Sequence, residues 1–550
     1  MRIEETIKSI ILLLVISMSL LFVACEKKDI DNESVSSQDE EETILLNPDE
    51  PGWKLDTSPI TFDWYVNFSW FTTEWGGNVV SDYITEKTGI NVNFITPSGN
   101  ENEKMNTMIA SGSLPDFITL GWWEDSARKI IEGELVLPLD ELAESYDPYF
   151  FNVSDSKKLD WYRQEDGHVY MYPNASSSPE DFERYKDLKP SNQTFLVRKD
   201  MYEALGKPDM RTPEGFLQAL KKAKEMFPEV NGEPLIPIGL HEFTDVGNDS
   251  LEAYLLNFLA VPMQKNGKVY DRRTDKEYIR WLKTFRKANE MGLLAKDIFV
   301  DKRPQMEEKI AKGRYFAMLY QRSDMEAQQQ ALYTNNPDSV YIAVDGPANT
   351  SLDAPTLAAD GISGWTITFI SKDVKDPERA IRFLSYLISE EGQKDVFLGK
   401  KGVTWDYING KEEFFPEVLE LLNSDRAKFD EKYGASHAYW MLMDTNMMLQ
   451  WEPEISPPLK QLEDWTKGKT VSLSEFDGII PRGTSEEGIS ANKIEKKWGE
   501  VLPRLLLAET EEEFDKLFQS FLETREENGY DLIKEYMQQE YEENKAKLND

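Results

Sequence analysis

The sequence predicts an α/β protein of two lobes with a helical C-terminal extension, and three observations lead there. Residues 60–120 alternate strand and helix signals in the order β-α-β-α-β, a second α/β run opens near Thr194, and from about residue 410 the chain reads as mainly helical. Such alternation argues for mostly parallel sheets covered by helices. A chain of 550 residues accommodates two to four domains, and it carries no internal repeat.

Before the folded part, Met1 and Arg2 precede an apolar run from Ile10 to Ala24 broken only by Ser17 and Ser19. That run is shorter than the roughly 20 residues a spanning helix needs, so residues 1–24 read as a cleaved export signal peptide. Leu21-Phe22-Val23-Ala24-Cys25 resembles a bacterial lipobox, in which the cysteine receives a diacylglycerol anchor. Phe22 stands where the lipobox usually has Leu, and Glu4 and Glu5 dilute the positive start. The other reading of Cys25, an ordinary residue of an uncleaved anchor, is disfavoured by the length and flanks of the apolar run. The expected address is the extracellular face of the bacterial cytoplasmic membrane. Cys25 is also the single cysteine, so no intramolecular disulfide contributes to stability.

Residues 25–57 are acidic, with Asp39, Glu40, Glu41 and Glu42 in succession and Trp53 the one aromatic, and are expected to form a flexible tether. The formal net charge of -38 repels phosphate backbones and anionic lipid, which excludes nucleic acid as a partner.

The folded region opens with the apolar run Ile60–Val66. The helix signal over 78–87 puts Val79, Val80, Tyr83 and Ile84 on one face, with Gly89 as its C-cap. Ile90 to Phe94 alternates at strand period, a helix carrying Met105, Met108 and Ile109 ends at Gly112, and Phe117 to Leu120 reads as a strand. Because ligands of such sheets bind beyond the carboxyl ends of the strands, the loops 67–77 and 121–125 belong at a cleft. Thr194–Val197, Tyr315–Tyr320, Val340–Val344 and Trp365–Ile370 read as further buried strands. Thr212, with Pro213 after it, caps a helix, and Asp376-Pro377-Glu378 starts another.

Several motifs carry a resemblance. Gly112-Ser113-Leu114-Pro115-Asp116-Phe117 resembles the Gly-x-x-Pro-Asp-hydrophobic motif of family 1 extracellular solute-binding proteins, the group that includes maltose-binding protein. The stretches Phe195–Gly206, Thr212–Phe216, Ala311–Met318 and Asp376–Gln393 are similar to that family's later motifs, in the same order, so the likeness runs from about residue 58 to 400. The aromatic tail with Phe514, Phe518 and Phe521 looks like its longer, lipid-anchored oligosaccharide-binding subgroup. The resemblance implies a two-lobed periplasmic-binding-protein-like fold, with 58–165 and 300–355 in the first lobe and 190–299 and 360–550 in the second. It further implies an oligosaccharide ligand, the membrane permease of an ABC importer as partner, a monomer, no cofactor and no catalytic residues.

Sugars present apolar C–H faces to aromatic rings and hydroxyls to polar side chains, which sets the candidate ligand-binding residues. Trp64, Trp70, Phe71 and Trp75 crowd the first cleft loop and the strand before it, Trp122 and Trp123 the second, and Trp365 begins a strand near a crossing. Any single Trp also reads as core, whereas an adjacent pair beside Gly121 argues for a contact surface. Asp116 has a second reading as a loop cap, and Arg198 as one half of an ion pair with a nearby Asp. Some uronate-binding relatives carry a calcium loop; here Glu229–Pro234 is too short and too poor in carboxylates, and no metal is expected.

Two other function classes compete. An exported carbohydrate-active enzyme lacks a supporting motif: there is no Gly-x-Ser-x-Gly and no His-Glu-x-x-His, and His168, His241 and His437 are scattered. A peptide-binding importer lipoprotein would share the architecture, and the collinear motifs favour sugar.

Overall fold

Local chemistry delimits the first elements. Asn78 accepts a hydrogen bond from the Ser81 N–H at one end of the helix α1 (Val79–Thr88), and Gly89 closes the other at φ 72°. A Cβ on Gly89 would stand 2.1 Å from the Thr57 carbonyl oxygen, so glycine is required there twice over. The helix lies between strands β1 (Ile60–Val66) and β2 (Ile90–Ile95), and α2 (Glu101–Ser111) leads on to β3 (Phe117–Gly121). The computed structural model describes residues 47–549; the export signal and Cys25 lie outside them.

The other strands of the two main sheets are β4 (Met171–Pro173), β5 (Gln193–Arg198), β6 (Ile236–Gly239), β7 (Tyr315–Gln321), β8 (Tyr341–Ala343) and β9 (Thr366–Ile370). They form two sheets. The first has the order β2-β1-β3-β9-β4, with β1, β2 and β3 parallel and β9 antiparallel to both neighbours. The second has the order β8-β5-β7-β6, with β6 and β7 parallel. Each is covered on both faces, which is why β3 and β5 are buried along their whole length. Phe62, Trp64 and Phe117 pack under the helix Pro377–Ile388 on one face of the first sheet, and Tyr65, Ile118 and Leu120 meet Met105 and Ile130 on the other.

The expected lobe boundaries need correction. Residues 300–355 were expected in the first lobe and 360 onward in the second. Instead β7 and β8 hydrogen-bond to β5, with Ala317 opposite Val197 and Ile342 opposite Val197 from the other side, while β9 pairs with β3 through Thr366 and Gly121. The helices of 377–398 and the segment to Leu442 join the first core. Short buried strands look alike in sequence; cross-strand hydrogen bonding decides which sheet each one enters. The C-terminal helices Glu486–Leu507 and Glu511–Glu527 bury Trp498, Leu502, Leu505, Phe514 and Phe521 against Trp281 and Phe285 of the second lobe.

The expected tether also ends earlier than residue 57. Trp53 is 4% exposed and packs on Tyr386 at 4.9 Å between ring centroids, and the Gly52 N–H donates to Asp147 Oδ1. Burial of the Trp53 indole supplies the apolar free energy that offsets the ordering of the acidic chain around it.

Three segments, 174–192, 344–365 and 443–456, cross between the lobes. Lys189 of the first sits among all three. Its Nζ donates to Ser177 Oγ at 2.9 Å, Thr445 Oγ1 at 2.8 Å and Asn446 Oδ1 at 2.9 Å, and it pairs with Asp360 at 2.8 Å.

Candidate functional site

The crossing segments leave the first sheet where β1 and β3 end and enter the second where Gln193 pairs with Gln321, at the end of β7. Those two sheet edges bound the cleft, as the parallel-sheet rule requires. On the first edge stand Asn67, the loop through Trp70, the loop Gly121–Asp125, and Trp365 just before β9.

An aromatic platform occupies this edge. Trp70 is 43% exposed and lies nearly parallel to Trp365, with 6.0 Å between centroids and 7° between planes. Trp440 closes the group at 4.4 Å from Trp365 and 5.6 Å from Trp70, and Phe68 packs beneath all three. Asn174, fully buried at the start of the first crossing segment, holds two of these rings. Its Nδ2 donates to the Trp440 carbonyl at 2.8 Å, its carbonyl accepts the Trp365 N–H, and its Oδ1 accepts the Thr366 N–H.

Beside the platform is a polar cluster. Glu124 accepts from Asn67 Nδ2 at 2.5 Å and from the Gly121 N–H at 2.8 Å, and Tyr65 donates its hydroxyl to Asn67 Oδ1 at 2.7 Å. Burial, helped by the charge of Glu101, pushes the Glu124 carboxyl up to about 7. Trp123, 41% exposed, stands next to it, edge-on to the half-buried Trp122. Arg482 from the C-terminal extension lies 5.4 Å above the Trp122 ring and donates to the Trp123 carbonyl.

The second lobe contributes a different set. The Arg303 guanidinium sits 5.6 Å from the Trp70 ring centroid while pairing with Glu307 at 2.8 Å and Asp324 at 3.0 Å. Behind it, His241 stacks on Tyr320 at 4.4 Å. Ser250 donates its hydroxyl to the Leu319 carbonyl, so the His241 Nδ1, 2.8 Å from Ser250 Oγ, carries the proton and Nε2 is the acceptor. Burial, reinforced by Arg303, pushes the imidazole down to about 3, so this ring is neutral.

The structure brings Trp70, Trp122, Trp123 and Trp365 to the cleft and takes five expected residues elsewhere. Trp64 is 1% exposed, stacked on Phe117 at 4.9 Å, with its N–H donated to Thr119 Oγ1. Strand alternation turns it to the core with Phe62 and Val66. Trp75 packs on Tyr439 at 4.9 Å and donates to Thr85 Oγ1. Asp116 lies where β3 begins, at the far end of the sheet, accepting the Asp63 and Lys375 N–H groups and pairing with Lys375. Arg198 is likewise at the far end of the second sheet, bound to Asp200 at 2.9 Å and to the Gly313 carbonyl. Phe71, crowded with the tryptophans in sequence, is 3% exposed and belongs to the first core. Asn67, Glu124, Arg303, Asp324, His241 and Trp440 escaped the sequence reading as individual contacts, although the loops of the first two were placed at the cleft.

The segment Glu229–Pro234 is a tight hairpin turning on Asn231 (φ 54°) and Gly232 (φ 81°). The carboxylate of Glu233 is taken up by Lys312 and Arg314 at 2.8 and 2.6 Å.

These features can be set beside known proteins. Lipoprotein LipO of Bacillus subtilis (strain 168) is 25% identical over 316 residues, 56% of this chain and 59% of LipO. The fructooligosaccharide ABC transporter substrate-binding protein FusA of Streptococcus pneumoniae serotype 4 is 24% identical over 235 residues, 39% of this chain and 41% of FusA. The chain thus matches about half the length of these curated relatives. Among solved structures, Streptococcus pneumoniae FusA in complex with kestose superposes with a TM-score of 0.66 at 15% identity, over 88% of this chain and 100% of that one. An alginate-binding protein solved without calcium ion gives 0.64 at 18% identity, over 90% and 100%. At such identities the likeness establishes the two-lobed α/β fold. A family profile for bacterial extracellular solute-binding proteins matches residues 73–394. The chain belongs to the bacterial extracellular solute-binding protein family.

Proposed function

We propose that this protein is the extracellular substrate-binding lipoprotein of an ABC importer and that it holds an oligosaccharide between its lobes. The observation that carries this reading is the platform of Trp70, Trp365 and Trp440 on one lobe with Arg303 of the other lobe against it and Asp324 paired to that guanidinium. Stacked indoles match the C–H faces of sugar rings, and the polar groups opposite supply donors and acceptors for hydroxyls. The names of two relatives agree: FusA is described as a fructooligosaccharide ABC transporter substrate-binding protein, and NgtS, a structural neighbour with a TM-score of 0.54, as an N-glycan transport solute binding protein.

The cleft binds and releases its ligand unchanged. A ligand that touches both lobes has greater affinity for the form in which they are close, so it draws the population there, and the permease recognises that form. Cys25 carries the lipid anchor, a role supported by the lipoprotein LipO among the relatives, and the protein acts as a monomer.

The test is a thermal-shift screen of the chain from residue 26 onward against neutral oligosaccharides, uronate-containing oligosaccharides and short peptides. A ligand at about 100 times its Kd adds about 2.7 kcal/mol of stability. Stabilisation by a glycan that is recovered intact supports the reading. Stabilisation by peptides alone overturns the sugar assignment, and a glycan cut during the assay overturns the binding-only role.

A further inference from the structure

The charges around the cleft are unevenly matched. Arg303 and Arg322 reach it from the second lobe, and each is already shared between two carboxylates. Arg303 pairs with Glu307 and Asp324; Arg322 pairs with Glu463 at 2.8 Å and Glu326 at 3.8 Å. Lys302 pairs with Glu242 at 3.7 Å. Arg482 spends its guanidinium on the Trp122 ring and the Trp123 carbonyl. On the first lobe, by contrast, Glu124 is held by neutral donors alone, and Glu101 accepts from the Ser69 N–H at 2.7 Å. Among the described residues neither carboxylate has an ion-pair partner.

Glu124 also has fixed geometry. Asn67 is 1% exposed and is itself held by Tyr65, so the carboxylate is anchored from the ends of β1 and β3 at once, in the same loop as the exposed Trp123. On this reading a sugar stacked on the exposed Trp123 ring passes the loop that carries Glu124.

We infer that the cleft rejects glycans bearing carboxylates, accepts those bearing only hydroxyl or amino groups, and that Glu124 is the residue setting this selection. The inference rests on the oligosaccharide reading and adds the charge class of the ligand. A carboxylate on the sugar meets a second one in a partly desolvated site, where like charges repel far more strongly than in water. A hydroxyl or ammonium group donates to Glu124 instead. The titratable groups that act on Glu124 are Tyr65 from β1 and Glu101 from α2, while Arg482 reaches the same loop at the Trp123 carbonyl. Glu101 raises the Glu124 carboxyl in the same direction as burial does.

The experiment measures binding of neutral, amino and uronate oligosaccharides of matched length at pH 8, by calorimetry, to the wild type and to Glu124→Gln. The expected result is neutral or amino binding at least about 10-fold tighter than uronate binding, with the gap narrowed in E124Q through a gain in uronate affinity. A structural role for Glu124 would weaken all classes alike and leave the gap, which overturns the inference. Should E124Q fail to fold, the wild type is titrated from pH 8 to pH 6: protonation of Glu124 raises uronate affinity relative to neutral, and a constant ratio overturns the inference. Uronate binding as tight as neutral binding in the wild type overturns the charge selection and leaves the oligosaccharide reading standing. Binding of peptides and of no glycan overturns both.

Discussion

The guanidinium of Arg303, carried by the second lobe, lies 5.6 Å from the centroid of the Trp70 ring of the first. A cation over an indole face is attracted by the ring quadrupole, so this pair joins the lobes at the point where a sugar would stack. Trp70→Ala and Trp365→Ala are therefore expected to lower affinity for a neutral oligosaccharide by about 10-fold or more, a loss of about 1.4 kcal/mol each. Trp70→Ala should leave the melting temperature little changed because the ring is 43% exposed. Trp64→Ala is the opposite case. It removes a core indole and costs about 3–5 kcal/mol of stability, while the affinity of the molecules that remain folded is unchanged.

Arg303 also balances Asp324, whose carboxyl is pushed up by burial and drawn back by that guanidinium. Arg303→Met leaves the acid without its cation and should lower stability by about 1–2 kcal/mol. Adding Asp324→Asn should restore most of the loss. A double-mutant cycle from denaturant melts reads the coupling, and strict additivity of the two changes would rule it out.

The Asp477 carboxyl, which faces the Ser363 N–H at 3.4 Å, is pushed up to about 6 by burial. Its folded-state pKa is thus raised above the unfolded value, so the native state holds the proton more tightly. That contribution is full below about pH 4 and is lost as pH rises through about 6. Asp477→Asn should raise the melting temperature at pH 8, and the gain should vanish at pH 4. Melts across this range check both the size and the direction.

Lys189 ties the three crossing segments to one another. Lys189→Met keeps the aliphatic stem and removes the donors. A broader distribution of lobe separations in solution scattering is expected, together with a stability loss of about 1–3 kcal/mol. An unchanged distribution would show that the crossing segments hold their arrangement without it.

Trp53 sets where the folded chain starts. Trp53→Ala should cost about 3–5 kcal/mol, as large-to-small changes at fully packed aromatic positions do. A chain starting at residue 58 should melt at a lower temperature than one starting at residue 47. Equal melting would mean that 47–57 contribute nothing.

Much of the local structure was legible in the sequence because it is decided by neighbours along the chain. Asn78 and Gly89 mark the two ends of one helix, Thr212 accepts from the Gly215 N–H as a cap before Pro213, and the alternation around Ile90 to Phe94 matches a strand. The motif around Asp116 and its collinear companions were sufficient to indicate the family. Several matters were settled only by contacts between distant parts of the chain. The sheet entered by Tyr315–Gln321 depends on its hydrogen bonds to Gln193–Arg198, and the two stretches carry no local mark of that partnership. Trp64 and Trp70 stand six residues apart in one aromatic cluster of the sequence, yet strand pleating buries the first and the following loop exposes the second. Trp440 and Arg303 join Trp70 from remote positions, and only packing of the lobes brings them to one cleft. Caps and periodicity are short-range and survive in the sequence. Which faces meet is a property of the folded chain, because burial and hydrogen bonding between remote segments decide it together.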